Sequence, residues 1–144
     1  MNKLNGLLFL LLLTGCSYDS DHVELISAIE KEDINFISQY SAQKKDIHFY
    51  YHDGFTPFTY AVKGKCKKCA DVLIDNGVNV NQIQKGGLSA LSWAVVNNDL
   101  NMVETLLLAG ANPKVKCSNK KCMDSFEFAI KDKRTKIMEK LKTR

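Results

Sequence analysis

Residues 53–62 read Asp53-Gly54-Phe55-Thr56-Pro57-Phe58-Thr59-Tyr60-Ala61-Val62, and the pattern returns 33 residues later as Gly86-Gly87-Leu88-Ser89-Ala90-Leu91-Ser92-Trp93-Ala94-Val95. The following segments match at the same shift, residues 70–81 with residues 103–114. A fixed period of this length indicates stacked units, each built as one supersecondary element. Because one such unit cannot bury its apolar face alone, the stack itself must form the hydrophobic core.

The repeated motif and its period resemble ankyrin repeats. The resemblance implies that Thr56-Pro57 opens a first helix, that Ala61 and Ala94 lie where helices of adjacent units approach, and that Gly77 and Gly110 end second helices. The placement of these glycines has a physical reason, because glycine directly after an apolar helical run can adopt the left-handed conformation of a C-cap. The expected fold class is therefore all-α, an ankyrin solenoid of about four helix-turn-helix units with short β-hairpin loops. A generic helical bundle would not explain glycines that recur at the same phase.

Two degraded copies of the motif extend the repeat in both directions. Residues 28–40 lie 33 positions before the segment that starts at Ala61, and residues 126–141 fit after an insertion of two residues. The predicted units are about 21–51, 52–84, 85–118 and 119–144. Terminal units should carry polar caps because each has one face in water, and the polar stretches 30–32 and 131–134 agree with that expectation.

The N-terminal segment predicts export. A short apolar run from Leu7 ends in Leu13-Thr14-Gly15-Cys16, which resembles a bacterial lipobox. The run is far shorter than the ~20 residues needed to span a bilayer. We therefore expect residues 1–15 to be a lipoprotein signal peptide, 16–20 a tether lipidated at Cys16, and 21–144 the repeat domain. Ser17 favours the outer membrane facing the periplasm, by the same resemblance. An uncleaved anchor and a buried helix of a cytosolic protein are the alternatives.

Four further cysteines form two close pairs, Cys66 with Cys69 and Cys117 with Cys122. In the repeat register the pairs fall at opposite ends of the helices, which are ~15 Å apart for ~10 residues, beyond the ~7 Å limit for a disulfide. Bridges within each pair are therefore the candidates, and cross-pairing or a shared zinc site is disfavoured. Because Cys66 would begin a helix, thiol exchange at a Cys-x-x-Cys is an alternative to a structural bridge or a core cysteine.

No catalytic, metal or cofactor site is expected. The three histidines, His22, His48 and His52, lie in no Cys-His, Ser-His-Asp or His-x-x-x-His setting, and no glycine-rich phosphate loop appears. Trp93 is interpreted as an inner-helix core residue. The net charge is +4 and the lysines are scattered among acids, which gives nucleic-acid binding little support.

A binding surface is the remaining expectation. The ankyrin resemblance implies protein recognition through hairpin tips and the exposed side of first helices. Carried over position by position, it predicts partner contacts at Tyr50, His52, Asp53, Phe55, Lys63, Ile83, Lys85, Leu88, Val96 and Asn97. The apolar and aromatic residues on the loop tips are candidate anchors, namely Tyr50, Phe55, Ile83 and Leu88. Equally, Phe55 and Leu88 could pack one hairpin on another.

The sequence thus predicts a non-enzymatic, lipid-anchored protein-binding module. It is similar to immunity-type ankyrin lipoproteins, which implies inhibition of a toxin or an envelope-acting enzyme by a direct protein contact. That implication is an analogy drawn from the fold. An envelope scaffold that assists another enzyme and a thiol oxidoreductase are the competing functions.

Overall fold

The structure, a computed structural model, describes residues 19–43, 45–115 and 123–142. Eight helices lie in these ranges, and they form four consecutive pairs. They are α1 (Ser20–Glu30), α2 (Ile34–Ala42), α3 (Pro57–Lys63), α4 (Lys67–Asp75), α5 (Ala90–Val96), α6 (Leu100–Leu108), α7 (Ser125–Lys131) and α8 (Thr135–Lys142). The predictions for Cys16, Cys117 and Cys122 fall outside the described residues, and the predicted unit boundaries stay predictions.

The helices stack as a solenoid. Each first helix packs on the second helix of its own pair, and neighbouring first helices pack on one another in the order α1, α3, α5, α7. Ala61, Ala94 and Ala129 are fully buried where these first helices approach. The all-α ankyrin solenoid predicted from the repeat is confirmed. None of the helices in the described ranges is long and apolar enough to cross a membrane.

Helix ends follow the local chemistry of the motif. Thr56 caps α3 through the Thr59 N–H, and Pro57 occupies the first turn, where its missing N–H costs nothing. The N-caps of second helices α2 and α6 are Asp33 and Asp99. Each carboxylate accepts a hydrogen bond from the backbone N–H three residues further on. Gly77 follows α4 with a φ of 78° and so supplies the left-handed residue that ends the helix.

The described loops between units contain less β-structure than the β-hairpins that we expected. Among the described residues the single β-bridge joins Ile83 and Ser89, and no regular strand forms. Neighbouring loops approach closely at Gly54, whose O atom accepts the Lys85 N–H at 2.9 Å. Only glycine fits there, because a Cβ on this residue would lie 2.7 Å from the Lys85 Cβ. Successive loops therefore support one another directly, without a sheet.

Hydrogen bonds between units recur one repeat apart. The Tyr50 hydroxyl donates to the O atom of Ile83 at 3.0 Å, and the Gln82 amide donates to the O atom of His48 at 2.7 Å. Similar bonds join Asn81 with Gly110 and Asn112, Asn97 with Val62 and Lys63, and Arg134 with Val96. These bonds fix one unit relative to the next, some between loops and others between the C-terminal ends of first helices.

The polar cap expected at the C-terminal end is incomplete. Lys131, Asp132 and Lys133 are exposed, as expected. Ile130, however, is 50% exposed, although Val95 at the equivalent position in the preceding unit is fully buried. The physical reason is that Val95 is covered by the next unit, whereas no described unit covers Ile130.

Candidate protein-binding surface

The ten predicted contact residues divide by exposure. Tyr50, His52, Asp53, Lys63 and Lys85 are exposed, whereas Phe55, Ile83, Leu88, Val96 and Asn97 are half-buried. The two sets lie on the loops before α3 and α5 and at the C-terminal ends of those helices. The structure therefore brings most of the set to one side of units two and three, although not all of it is open to solvent.

An aromatic cluster lies at the centre of this side. We define the aromatic cluster as Tyr51, Phe55, Tyr60 and Trp93, all half-buried. The Phe55 ring centroid lies 5.4 Å from that of Tyr60 and 5.6 Å from that of Trp93, and the Tyr51 ring meets Tyr60 edge-on at 5.9 Å. Phe55 thus packs on the first helices of its own unit and the next unit, rather than on another hairpin.

Lys63 sits on top of the aromatic cluster. Its Nζ lies 4.3 Å from the centroid of the Phe55 ring and 5.5 Å from that of Trp93, within the range of cation–π attraction. Trp93 packs against the hydrophobic core, as interpreted from the sequence, and is only partly buried. Its contacts with Phe55 and Lys63 bring it to this surface as well.

Asp53 and Tyr60 hold the loop against α3. The Tyr60 hydroxyl donates to Oδ2 of Asp53, and the N–H of Phe55 donates to Oδ1 at 3.1 Å. Partial burial acts to raise the pKa of the Asp53 carboxyl, but these two hydrogen bonds, together with the charge of His52 and a hydrogen bond from the backbone of Asp53 itself, place the pKa below its usual value. Burial, followed by the hydrogen bond and charge of Asp53, raises the pKa of Tyr60. The pair thus stays as carboxylate and phenol at neutral pH and fixes Phe55 between them.

Tyr50, Ile83 and Lys85 meet at the neighbouring loop tips. Besides the hydrogen bond from Tyr50 to Ile83, the Lys85 Nζ lies 5.6 Å from the centroid of the Tyr50 ring. This second lysine stands beside an exposed aromatic ring, as Lys63 does over the aromatic cluster. The surface therefore alternates ammonium groups with aromatic faces.

Other predicted contact residues have roles inside the protein. The Asn97 amide donates to the O atoms of Val62 at 3.3 Å and Lys63 at 3.1 Å, and the O atom of Val96 accepts a guanidinium N–H of Arg134 at 3.0 Å. These bonds tie neighbouring units together. Leu88 lies in a turn in which its O atom accepts the N–H of Gln84. Partner contact at these three positions, as at the other seven, remains a prediction.

The sequence analysis left Tyr51, Tyr60 and Trp93 out of the contact set. A signal for two of them was available, because Tyr60 and Trp93 occupy the same register position, each directly before a buried alanine. An aromatic residue that recurs beside the small residue at a helix–helix contact is expected at the border between core and surface. No comparable signal marked Tyr51.

The Cys66–Cys69 pair forms a disulfide at the start of α4. Both residues are buried, and Cys66 Sγ accepts the N–H of Cys69 at 3.2 Å, in the place that the Asp99 carboxylate takes in the next unit. An enzymatic thiol must be a reachable thiolate. The burial of both sulfur-bearing residues favours the structural role over thiol exchange.

We expect the cap at position 66 to be measurable once the bridge is removed. Cys66→Asp combined with Cys69→Ala should be more stable than Cys66→Ala combined with Cys69→Ala by about 1 kcal/mol, because only the first variant restores an N-cap acceptor. Urea unfolding of the two variants gives the difference directly. Equal midpoints would show that the side chain at position 66 does not cap α4.

The groups on this surface are suited to binding a partner, and the described residues form no metal site. In the ranges that the structure describes, no group of three or more His, Cys, Asp or Glu residues is arranged to hold a metal ion. The prominent features are aromatic faces, two exposed ammonium groups and a loop held rigid by the Asp53–Tyr60 pair. Such a surface suits noncovalent recognition of another molecule.

Comparison with known proteins assigns the family. A model of ankyrin repeats, three copies long, matches residues 25–117. The chain is 38% identical over 68 residues to the B-cell lymphoma 3 protein homolog of Mus musculus, and 32% identical over 72 residues to a putative ankyrin repeat protein of Borreliella burgdorferi. These matches cover 46% and 49% of this chain but 15% and 17% of those proteins. The chain belongs to the ankyrin-repeat family, whose members are typically non-enzymatic protein-interaction modules.

Proposed function

We propose that this protein is a lipid-anchored inhibitor of the immunity type, which binds a toxin or an envelope-acting enzyme through the aromatic cluster and the neighbouring loop tips. The observation that carries the proposal is Lys63 poised over Phe55 and Trp93 on an open side of the stack. Aromatic side chains dominate the energetics of protein interfaces. Here they come from two adjacent units and present one continuous surface.

Rigidity of the surface supports tight binding. Tyr60 and Phe55 are fixed by hydrogen bonds to Asp53, and Tyr50 is tied to the next loop through Ile83. Side chains that are ordered before binding lose little conformational entropy when a partner docks. An inhibitor has to outcompete substrate, and such preorganisation favours a slow dissociation rate.

The proposed anchor at Cys16 supports the same function. A protein held at a membrane meets other membrane-associated molecules at an increased effective concentration. For an inhibitor of an envelope-acting enzyme, this local enrichment would raise occupancy without any further contact. The argument rests on the Leu13-Thr14-Gly15-Cys16 motif and on the surface described above.

Photocrosslinking can test the proposal. A photoreactive amino acid placed at Lys85, beside Tyr50, should capture an envelope protein, and the same amino acid at Lys68, on the opposite helix α4, should not. Phe55→Ala in the crosslinking protein should weaken capture by about 30-fold, since a central anchor contributes about 2 kcal/mol or more. Circular dichroism should show unchanged helix content.

The captured protein then decides between inhibitor and scaffold. The purified partner should lose its activity when the wild-type protein is added in equal amount, and Phe55→Ala should restore the activity. A partner whose activity is unchanged or increased would make the protein an envelope scaffold. Capture from Lys68 alone would place recognition on another face.

A further inference from the structure

We propose that the segment of the partner that docks on this surface is acidic, and that its carboxylates bind Lys63 and Lys85. The inference rests on the proposed function, because it specifies the chemistry of the same surface. It starts from the two ammonium groups. In the described ranges, the ion pairs within 4.0 Å include neither lysine, and neither Nζ donates a hydrogen bond there.

The nearest acidic group on the loop is already engaged. Asp53 accepts hydrogen bonds from Tyr60 and from the N–H of Phe55, which leaves it turned toward α3. Lys45 is a useful comparison, since its Nζ lies 5.1 Å from the centroid of the Tyr40 ring and also pairs with Asp21 at 2.8 Å. Lys63 and Lys85 therefore rest on aromatic faces with their charges unneutralised.

The indole N–H of Trp93 is a further hydrogen-bond donor near Lys63. Its Nε1 is buried and has no hydrogen-bond acceptor among the described residues, although the residue as a whole is half-exposed. An unsatisfied buried N–H is unfavourable, and buried donors are normally paired. The centroid of the Trp93 ring lies 5.5 Å from the Lys63 Nζ, so a carboxylate bound at Lys63 would lie beside the indole.

The arrangement favours protein carboxylates over phosphate. Phosphate sites usually gather several donors on one group, from an arginine fork or from successive backbone N–H groups. Here the two ammonium groups lie over different rings, Lys63 over Phe55 and Lys85 over Tyr50. An extended acidic segment can place separate carboxylates on the two lysines and lay its aliphatic stems on these rings.

Trp93, the sole tryptophan in the chain, provides the readout. Titration with poly-L-glutamate should change its fluorescence, whereas poly-L-lysine should not. Lys63→Gln and Lys85→Gln should each weaken poly-L-glutamate binding by about twofold to fivefold, because each removes one exposed ion pair. Lys68→Gln on α4 removes the same charge from the other side of the stack and should leave the affinity unchanged.

Three results would overturn the inference. An equal loss of affinity in Lys68→Gln would mean that the attraction reflects net charge only. Displacement of poly-L-glutamate by millimolar inorganic phosphate, at constant ionic strength, would assign the surface to phosphate. The photocrosslinked partner separates this inference from the proposed function: full capture by a Lys63→Gln protein that carries the photoreactive amino acid at position 85 would reject the acidic contact and leave the inhibitor proposal standing. Poly-L-glutamate binding as expected, with no envelope protein captured, would do the reverse.

Discussion

Truncating Leu106 to alanine is expected to lower the free energy of unfolding by about 2–5 kcal/mol. Leu106 lies in α6 and is fully buried in the stack, so its removal loses apolar contacts and leaves a cavity. A marginally stable domain cannot absorb a loss of this size without a large shift in its unfolding midpoint. Urea or thermal unfolding followed by circular dichroism measures the effect.

Leu108 provides the matched control on the same helix. It is 77% exposed, so Leu108→Ala should change the free energy of unfolding by about 0.5 kcal/mol or less. Both variants make the same chemical change in α6 and differ in burial alone. Similar losses in the two variants would mean that the buried face of α6 is assigned incorrectly.

Replacing Cys16 by serine is expected to abolish acylation of the protein entirely and, with it, outer-membrane localisation. Acylation requires the thiol of Cys16, and acyl chains would supply the binding energy for stable anchoring. The substitution should leave an unprocessed, unacylated precursor. Intact mass measurement, labelling with a fatty-acid analogue and membrane fractionation each report the change.

A change at the neighbouring residue controls for damage to the export signal. Ser17→Asp should keep the acyl chains on Cys16 while shifting the protein toward the inner membrane, as the lipoprotein resemblance implies. If Cys16→Ser protein still carried acyl chains, or if the wild-type mature chain began at another residue, the anchor would have to be abandoned.

The helix ends were predictable because their causes are local. Thr56-Pro57 sets the start of α3 through one side-chain acceptor and one fixed φ angle, and both residues are adjacent in the sequence. Gly77 ends α4 for a similarly local reason, its positive φ. The 33-residue period then extends these rules from one unit to the next, so the order of helices could be derived without knowledge of the packing.

The role of Trp93 was harder to derive. In α5 the residues around it, from Leu91 to Val96, are nearly all apolar, so the pattern does not distinguish a buried face from an exposed one. Which face is open depends on the neighbouring unit, which brings Phe55 and Lys63 against the indole. Exposure of Ile130 likewise depends on what covers it and is not encoded in its own helix.

The bonds between units also determine how far the chain must search while it folds. Tyr50 joins Ile83 and Asn97 joins Lys63, so native partners are about one unit apart in sequence. The loops that these bonds close are about one repeat long, and the entropic cost of closing a loop rises with its length. Coupling between nearest neighbours also lets folding begin in any unit and spread in both directions. The chain can therefore fold one repeat at a time, each new repeat packing on one that is already folded.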